Sequence, residues 1–286
     1  MSSDPMARPN DKFVTVDGLK LRYVEKGEGP VVLLLHGASL GSSADVFLRN
    51  LEPLARAGFR AIAYDQPGFG LSDVPTDHSP AYRRDSIPKF LDAIGVKRAA
   101  LVGHSQAGNP AVQLALADPE RYSHVIVLGT GSLLPPLEGV DDGNEGAAQQ
   151  RLERRMASAE PSVDDTKKLL EANLFHHDLI TQDELSLRHA RSIGKNFEAF
   201  VARSQAAEAS PPKAPKTPIW QRLGELKMPL LMIFGREDRA KAFERATLLK
   251  EKSTELNVHI VKDCKHLVPW DAADDFIRLA VPFLKS

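Results

Sequence analysis

The chain of 286 residues is long enough for one large domain, or for one domain that carries a second domain as an insertion. Its 37 Lys and Arg residues and 38 Asp and Glu residues give a formal net charge of −1. This balance argues against nucleic acid or an anionic membrane as a partner, because binding to either requires a surplus of basic residues. The hydrophobic fraction of 42% is ordinary for a globular protein.

Three further features bear on the location of the protein. The longest aliphatic run, Val31–Leu35, is far shorter than the roughly 20 residues that a membrane-spanning helix requires. Residues 1–10 are polar and lack the apolar segment of a signal peptide, so they predict a flexible tail. With Cys264 as the only cysteine, neither an internal disulfide nor a thiolate zinc cage can form, and we expect a cytoplasmic protein.

In chain order, short runs rich in aliphatic and β-branched residues predict eight strands. The runs are 13–16, 19–24, 30–35, 61–64, 99–102, 125–128, 230–234 and 258–261. From the third run onward most intervals hold helical patterns. Apolar strands that alternate with helices predict a mostly parallel sheet covered on both faces.

The helical patterns divide the chain. Ser43 is a good N-cap for an apolar stripe that ends at Gly58. Strand patterns are absent between about Gly131 and Leu223, where Thr181 and a glutamate three residues later form a capping box, and a proline-rich run at 210–218 leads back to the sheet. We therefore expect an α/β core, with a helical cap inserted into it. The predicted parts are a tail at 1–10, a core at 11–131 and 223–286, and a cap at 132–222.

The sharpest motif is Leu-Val-Gly-His-Ser-Gln-Ala-Gly at 101–108, where a strand runs into a helix through Ser105. A nucleophile elbow needs this arrangement, because only small neighbours let strand and helix approach while the serine Oγ projects from a strained turn. The usual pattern is G-x-S-x-G. Here Ala107 occupies the last glycine position and Gly108 follows it.

The partners of a serine nucleophile should follow late strands, in the order acid and then base. Asp238 follows the run at 230–234 and His266 follows the run at 258–261, so both fall at carboxyl ends of strands. His266 is predicted to take the Ser105 proton and Asp238 to hold the imidazole. Glu237 and Asp263 remain alternatives for the acid.

A tetrahedral intermediate also needs two backbone N–H donors. One is predicted from Gln106, directly after the nucleophile, and one from Ala38, in the loop after the most apolar strand. His36 in the same loop is expected to brace it.

The sequence resembles an α/β-hydrolase over nearly all its length. The resemblance lies in His36-Gly37, in the run Asp-Gln-Pro-Gly-Phe-Gly-Leu-Ser-Asp at 65–73, in the serine motif, in Gly-Arg-Glu-Asp at 235–238 and in His266. Within that superfamily it is similar to the meta-cleavage product hydrolases of bacterial aromatic degradation, with finer likeness at 180–185, 224–227 and 270–284. The resemblance implies C–C bond hydrolysis of a 2-hydroxy-6-oxo-dienoate without a cofactor, and it allows a homodimer, since relatives are often dimers.

Four positions depart from that family's usual pattern. His104 stands where an asparagine is usual, Leu267 where a tryptophan is usual, and Ala38-Ser39-Leu40 replaces a glycine-rich loop. Ser39, His104 and Leu267 are therefore candidates for substrate contacts that differ from the family's. Lys265 replaces a glycine before the catalytic histidine.

Arg188 is the candidate for recognition of an acidic substrate. It shares a helix face with Leu185 and Ser192, so it can point toward the core, and a buried arginine needs an anion such as a substrate carboxylate. A solvated helix arginine is the alternative, which the resemblance makes the weaker interpretation. His176 and His177 are adjacent and face different sides of a helix, so no metal site is predicted.

These residues predict a serine hydrolase without a cofactor, acting on a small carboxylate-bearing product of ring fission. An esterase, lactonase or amide hydrolase with the same three residues is the alternative. From other classes, a cofactor-free dioxygenase or a small-molecule receptor could use the same fold, because a fold does not determine function.

Overall fold

A computed structural model describes residues 11–137, 158–209 and 217–286. Its sheet has eight strands in the order β1-β2-β4-β3-β5-β6-β7-β8. All eight predicted strands are present. Their bounds are β1 Lys12–Val16, β2 Leu19–Lys26, β3 Val31–Leu35, β4 Arg60–Tyr64, β5 Ala99–His104, β6 Tyr122–Leu128, β7 Leu230–Gly235 and β8 Asn257–Val261.

The sheet is mostly parallel, as predicted. β2 pairs antiparallel with both β1 and β4, whereas β4, β3, β5, β6, β7 and β8 pair in parallel. The central strands are apolar and buried along nearly their whole length, because helices cover both faces. The carboxyl ends of β3, β5, β7 and β8 therefore lie at one edge of the sheet, where loops can meet.

Nine α-helices lie within the described residues. Their bounds are α1 Leu48–Arg56, α2 Pro80–Ala93, α3 Gly108–Ala117, α4 Val163–Asn173, α5 Gln182–Ala190, α6 Lys195–Ala209, α7 Ala242–Lys252, α8 Val268–Asp271 and α9 Ala273–Leu284. Apolar residues of α2, α3 and α7 pack on one face of the sheet, and those of α1, α8 and α9 pack on the other. None of the helices traced in these ranges combines the length and the apolar character needed to cross a membrane.

In the described ranges, the chain between β6 and β7 forms helices joined by loops, and no strand. It contains α4, α5 and α6, with Ser162 capping α4 and Thr181 accepting a hydrogen bond from the Glu184 N–H at the start of α5. The predicted tail at 1–10, residues 138–157 of the predicted cap and residues 210–216 of the proline-rich run lie outside the described residues.

A buried ion cluster fixes the loops that follow β3 and β4. Arg22 of β2 is fully buried and donates to Asp11, Asp45 and Asp65. Asp65, directly after β4, also accepts from the backbone N–H groups of Ala44 and Leu71. The loops after two neighbouring strands are thereby joined, and both border the site described next.

Candidate active site

Ser105 stands at the turn between β5 and α3 with a positive φ of 56°. A non-glycine residue in this region is strained, and the surrounding structure must hold it there. A Cβ at Gly103 would lie 2.6 Å from the Ala107 carbonyl oxygen, and one at Gly108 would lie 2.1 Å from Thr130 Oγ1. These two glycines are therefore the ones that the turn requires, which explains why Ala107 can occupy the usual glycine position.

The structure brings the three predicted catalytic side chains into one hydrogen-bonded chain. Ser105 Oγ lies 2.8 Å from His266 Nε2. His266 Nδ1 lies 3.1 and 3.0 Å from the two carboxylate oxygens of Asp238. The side chains of His266 and Asp238 are only 12% and 5% exposed, so water screens their interaction weakly.

The charges around Asp238 determine the direction of these hydrogen bonds. Burial alone would raise the pKa of the Asp238 carboxyl, but the His266 side chain, the charge of Arg239 and the Arg239 N–H together hold this pKa below its usual range. Asp238 is thus a carboxylate, and it accepts the His266 Nδ1–H. In the neutral imidazole, His266 Nε2 then has a lone pair that faces the Ser105 hydroxyl, the arrangement that a general base requires.

The two alternative acids lie elsewhere. Glu237 Oε2 accepts the backbone N–H of Cys264 at 3.0 Å and joins the loops after β7 and β8. Asp263 is exposed and has a positive φ of 53° in the turn after β8. Of the three carboxylates weighed from the sequence, Asp238 is the one in contact with His266.

His104, one of the predicted substrate contacts, is 3% exposed. Its Nε2 lies 2.9 Å from the backbone carbonyl oxygen of His266. A carbonyl oxygen only accepts, so His104 Nε2 carries a hydrogen and donates it. Burial and the nearby His266 lower the pKa of His104 to about 3, which keeps the ring neutral. His104 therefore contacts the loop that carries His266.

The predicted oxyanion loop lies against the nucleophile. A Cβ at Gly37 would lie 3.0 Å from Ser105 Cβ and 3.4 Å from Ser105 Oγ. The backbone N–H of Ala38, which follows Gly37 directly, is therefore near the serine side chain. Gln106 follows Ser105 in a short 3-10 helix. These positions bring both predicted N–H donors into the neighbourhood of Ser105.

His36 braces this loop, as expected. Its Nδ1 donates to the Gly37 carbonyl at 2.6 Å, and its Nε2 accepts the Gln66 N–H at 3.0 Å. Burial first, and the charges of three arginines next, lower the pKa of His36 to about 3. Both ring nitrogens of this neutral histidine are thus used within the loops after β3 and β4.

Arg188 points inward and is 9% exposed. Its Nη2 donates to Ser39 Oγ at 3.2 Å and to the Leu40 carbonyl at 2.9 Å, while its Nε is buried without a hydrogen-bond partner. Burial lowers the pKa of Arg188 to about 10, and the charge of Asp45 opposes this only from a distance. The guanidinium is therefore a buried cation without an ion pair to any described carboxylate.

A pocket opens beside Arg188, with a volume of about 270 Å³ that includes its open mouth. Its walls come from both the core and the helices between β6 and β7, and include Asp45, Leu187, Arg191 and Trp270. Ser105 does not line this pocket. The pocket therefore borders Arg188 without reaching Ser105.

Leu267, the remaining predicted contact, belongs to a junction that the sequence did not reveal. It is 5% exposed, and its N–H donates to the Asn173 carbonyl at the end of α4. Asn173 Oδ1 accepts from Arg239 Nη1 at 2.6 Å, next to Asp238. One residue of the helical segment therefore holds the loops that carry both Asp238 and His266.

Asp271 completes this junction. Its carboxylate accepts the N–H of Lys265 at 2.7 Å, the N–H of Phe175 at 2.8 Å, and the N–H and Nδ1 of His176 at 3.0 and 3.1 Å. Lys265 Nζ donates to the Glu171 carbonyl, so the lysine points to α4. Asn173 and Asp271 carry no sequence motif, since both act through contacts between segments about 65 to 95 residues apart.

Cys264 is fully buried, and burial raises the pKa of its thiol, which makes it an inert core residue. Across residues 11–137, 158–209 and 217–286, no three His, Cys, Asp or Glu side chains group in a way that could hold a metal ion.

This fold and this hydrogen-bonded serine agree with the comparison to known families. The model for the alpha/beta hydrolase fold matches residues 30–273, which is most of the chain. The protein belongs to this family and is a hydrolase.

Individual relatives narrow the comparison. A 2-hydroxy-6-oxononadienedioate/2-hydroxy-6-oxononatrienedioate hydrolase of Comamonas testosteroni is 32% identical, over 96% of this chain and 96% of its own. A 2-hydroxy-6-oxo-6-phenylhexa-2,4-dienoate hydrolase of the same species is 31% identical, over 93% and 91%. The solved structure of a meta-cleavage product hydrolase from Pseudomonas fluorescens IP01 is 25% identical, with a TM-score of 0.74 over 96% of this chain and 97% of that one. The chain is thus similar to meta-cleavage product hydrolases along its whole length.

Proposed function

We propose that the protein hydrolyses a C–C bond in a 2-hydroxy-6-oxo-dienoate, with Ser105 as nucleophile, His266 as general base and acid, and Asp238 as the carboxylate that orients the imidazole. The observation that carries the proposal is the unbroken chain of hydrogen bonds from Ser105 Oγ through His266 to Asp238. Relatives of nearly equal length are named as hydrolases of such dienoates.

In the proposed reaction the dienol first becomes its 2-oxo tautomer, with the 2-hydroxyl proton transferred to C5. Ser105 Oγ then attacks the C6 carbonyl while His266 Nε2 takes the serine proton. The backbone N–H groups of Ala38 and Gln106 stabilise the oxyanion on C6, a contribution typically worth about 10²- to 10³-fold per donor. The strained Ser105 backbone holds the hydroxyl for this attack.

The C5–C6 bond breaks when the tetrahedral intermediate collapses. Its electron pair moves through the C3–C4 double bond to the C2 carbonyl, which makes the leaving group a stabilised dienolate. The protonated His266 returns its proton to this product. Water then hydrolyses the ester on Ser105, again with His266 as base, and releases a carboxylic acid.

Arg188 is the proposed anchor for the carboxylate next to C2. Support comes from its burial, from the absence of an ion pair with any described carboxylate, and from its hydrogen bonds to Ser39 and Leu40 in the loop beside Ser105. A planar guanidinium suits a carboxylate, and an uncompensated buried charge gains most from one. The net charge of −1 leaves such recognition to local groups.

We further propose that residues 132–222 form a cap over this site. α5 reaches the loop after β3 through Arg188, and α6 reaches the loop after β4, where Asn196 Nδ2 donates to the Gly70 carbonyl at 3.1 Å. α4 reaches the loop after β8 through Asn173. A segment that contacts these three loops can exclude water from the substrate.

The test is turnover of a 2-hydroxy-6-oxo-dienoate, supplied in its 6-phenyl form and in its dioate form, and followed by loss of visible absorbance, against a matched aryl ester. The expected result is dienoate hydrolysis that Ser105→Ala abolishes while the substrate still binds. A protein that hydrolyses the ester but not the dienoate, or whose Ser105→Ala variant keeps full dienoate turnover, would contradict the proposal. Labelling by a fluorophosphonate gives an independent readout, since it should modify Ser105.

A further inference from the structure

Two arginines approach the ring of Phe69 in the loop after β4. The Arg203 guanidinium, from α6, lies 3.9 Å from the centre of the ring, and that of Arg83, from the first turns of α2, lies 5.9 Å from it. Arg203 Nη1 also donates to the Gly68 carbonyl at 2.9 Å. Two cations from different elements thus converge on one aromatic side chain.

Among the described residues, no carboxylate neutralises Arg83 or Arg203 through an ion pair. Burial lowers the pKa of both, and the charge of Arg83 helps to lower that of Arg203 to about 9. The buried Arg22 and Arg191, by contrast, both pair with Asp45. Within the described ranges, Arg83 and Arg203 thus resemble Arg188, which also has no ion pair, and differ from Arg22 and Arg191.

Polar atoms around the pair also lack partners. Arg83 Nε is buried with no hydrogen-bond acceptor. His78 Nδ1, close enough for Arg203 to lower the pKa of its ring, is buried without a partner as well. A buried guanidinium N–H without an acceptor costs free energy unless a ligand supplies one. An anion beside these guanidinium groups would supply it.

A series of contacts connects the ring that the pair approaches to the reacting serine. The Phe69 ring packs edge-on against His36, with ring centres 4.9 Å apart, and the next residue, Gly37, lies against Ser105. Arg188 reaches the same loop at its other end, at Ser39 and Leu40. Two sets of uncompensated cations therefore approach the oxyanion loop at its two ends.

We propose that Arg83 and Arg203 form a second anion subsite, which takes a carboxylate on the acyl side of the scissile bond. The preferred substrate is then a dicarboxylate, with one carboxylate at Arg188 and the other at Arg83 and Arg203. This inference rests on the proposed function. It also distinguishes between two possible substrates that sequence identity does not distinguish, because the chain is 32% identical to the dioate hydrolase and 31% identical to the phenyl-dienoate hydrolase.

The test compares kcat/KM for two dienoates that differ only beyond C6, one with a terminal carboxylate and one with a phenyl group. The wild type is expected to prefer the dioate. Arg83→Met and Arg203→Met should each lower the ratio of the two kcat/KM values by about 10- to 100-fold, because hydrogen bonds to charged groups are lost only with the dioate. Arg203→Lys, which keeps the charge, should recover part of the ratio.

Arg84→Met is the matched control, because Arg84 neighbours Arg83 on α2 but pairs with Asp85 and Gln113. It should leave the ratio at the wild-type value. Thermal denaturation of each variant identifies any loss of folding. A wild type that favours the phenyl substrate, or Met variants that lower both rates equally, would overturn the inference.

A binding measurement keeps this inference separate from the proposed reaction. The affinities of nonanedioate and nonanoate are measured by calorimetry for the wild type and for Arg203→Met. If the wild type binds the diacid more tightly than the monoacid and Arg203→Met does not, the subsite is supported. This holds even if neither dienoate is hydrolysed, a result that would refute the proposed function alone. Equal affinities for both acids would refute the subsite even in an active dienoate hydrolase.

Discussion

Replacement of Gly108 by alanine tests the account of the nucleophile turn. The added Cβ would lie 2.1 Å from Thr130 Oγ1 and 2.9 Å from Thr130 Cβ. Both distances are below 3.0 Å, and Cβ atoms in proteins essentially never make contacts that short. Thr130 Oγ1 also donates to the Ser105 carbonyl at 2.7 Å, so a displaced threonine loses this bond. The substitution thus disturbs both packing and the backbone of the nucleophile.

The magnitude follows from these two contacts. Overpacking typically costs about 1–3 kcal/mol, and loss of a hydrogen bond to a buried carbonyl adds about 1 kcal/mol. Gly108→Ala should therefore lower the free energy of unfolding by about 2–4 kcal/mol, which for a chain of this size lowers Tm by roughly 4–8 °C. Because a displacement of about 1 Å near the reacting atoms can cost about 100-fold, kcat should fall by a similar factor.

The assay is a double-mutant cycle in urea with Thr130→Ala. Removal of the threonine Oγ1 and Cγ2 makes room for the new methyl group, so the cost of Gly108→Ala should shrink by at least about 1 kcal/mol in the Thr130→Ala background. Gly224→Ala is the control, since a Cβ there meets nothing within 4 Å. Costs that add to within about 0.5 kcal/mol, or an unchanged Tm for Gly108→Ala, would refute the reasoning.

Two further substitutions test the electrostatics. Asp238→Asn should lower kcat by about 10⁴-fold while the protein stays folded, because the amide favours the wrong His266 tautomer. The folded pKa of Asp238 is lowered, so the carboxylate contributes to stability above the unfolded pKa of about 3.9, and this contribution is lost as the pH falls below that value. The difference in unfolding free energy between the wild type and Asp238→Asn should therefore disappear at low pH. A difference that stays constant with pH in urea unfolding would contradict this. His104 has a folded pKa of about 3, so below about pH 6.5 only its unfolded form takes up a proton, and by pH 5 stability falls by about 2 kcal/mol. His104→Asn should remove this part of the pH dependence. If the free energy of unfolding falls equally steeply with pH in the wild type and in His104→Asn, the reasoning is wrong.

The sequence predicted the parts of the molecule that local patterns encode. The eight strands follow from apolar runs, and the turn at Ser105 follows from the glycines around it, because strand and helix can meet there only if side chains are small. The order of Asp238 and His266 placed both at carboxyl ends of strands, where the sheet brings them together. The parallel topology turns such local signals into a site.

Residues that act across long separations gave no such signal. Asp271 resembles any helix acid until the fold brings Phe175 and His176 to its carboxylate. Arg203 belongs to an ordinary helical pattern, and its lack of a neutralising partner is a property of what surrounds it. The sequence marks His104 by its departure from the family's usual asparagine, but it does not indicate that the ring bonds the His266 backbone.

The junction at Asn173 and Asp271 bears on how this enzyme could exchange parts with its relatives. A chimera that swaps residues 132–222 would import a new partner for Arg239 and Leu267, which now bond Asn173. The imported segment would also have to meet the carboxylate of Asp271. Productive recombination therefore has to carry three short stretches together, around 171–177, at 237–239 and at 264–271, although they are far apart in the chain.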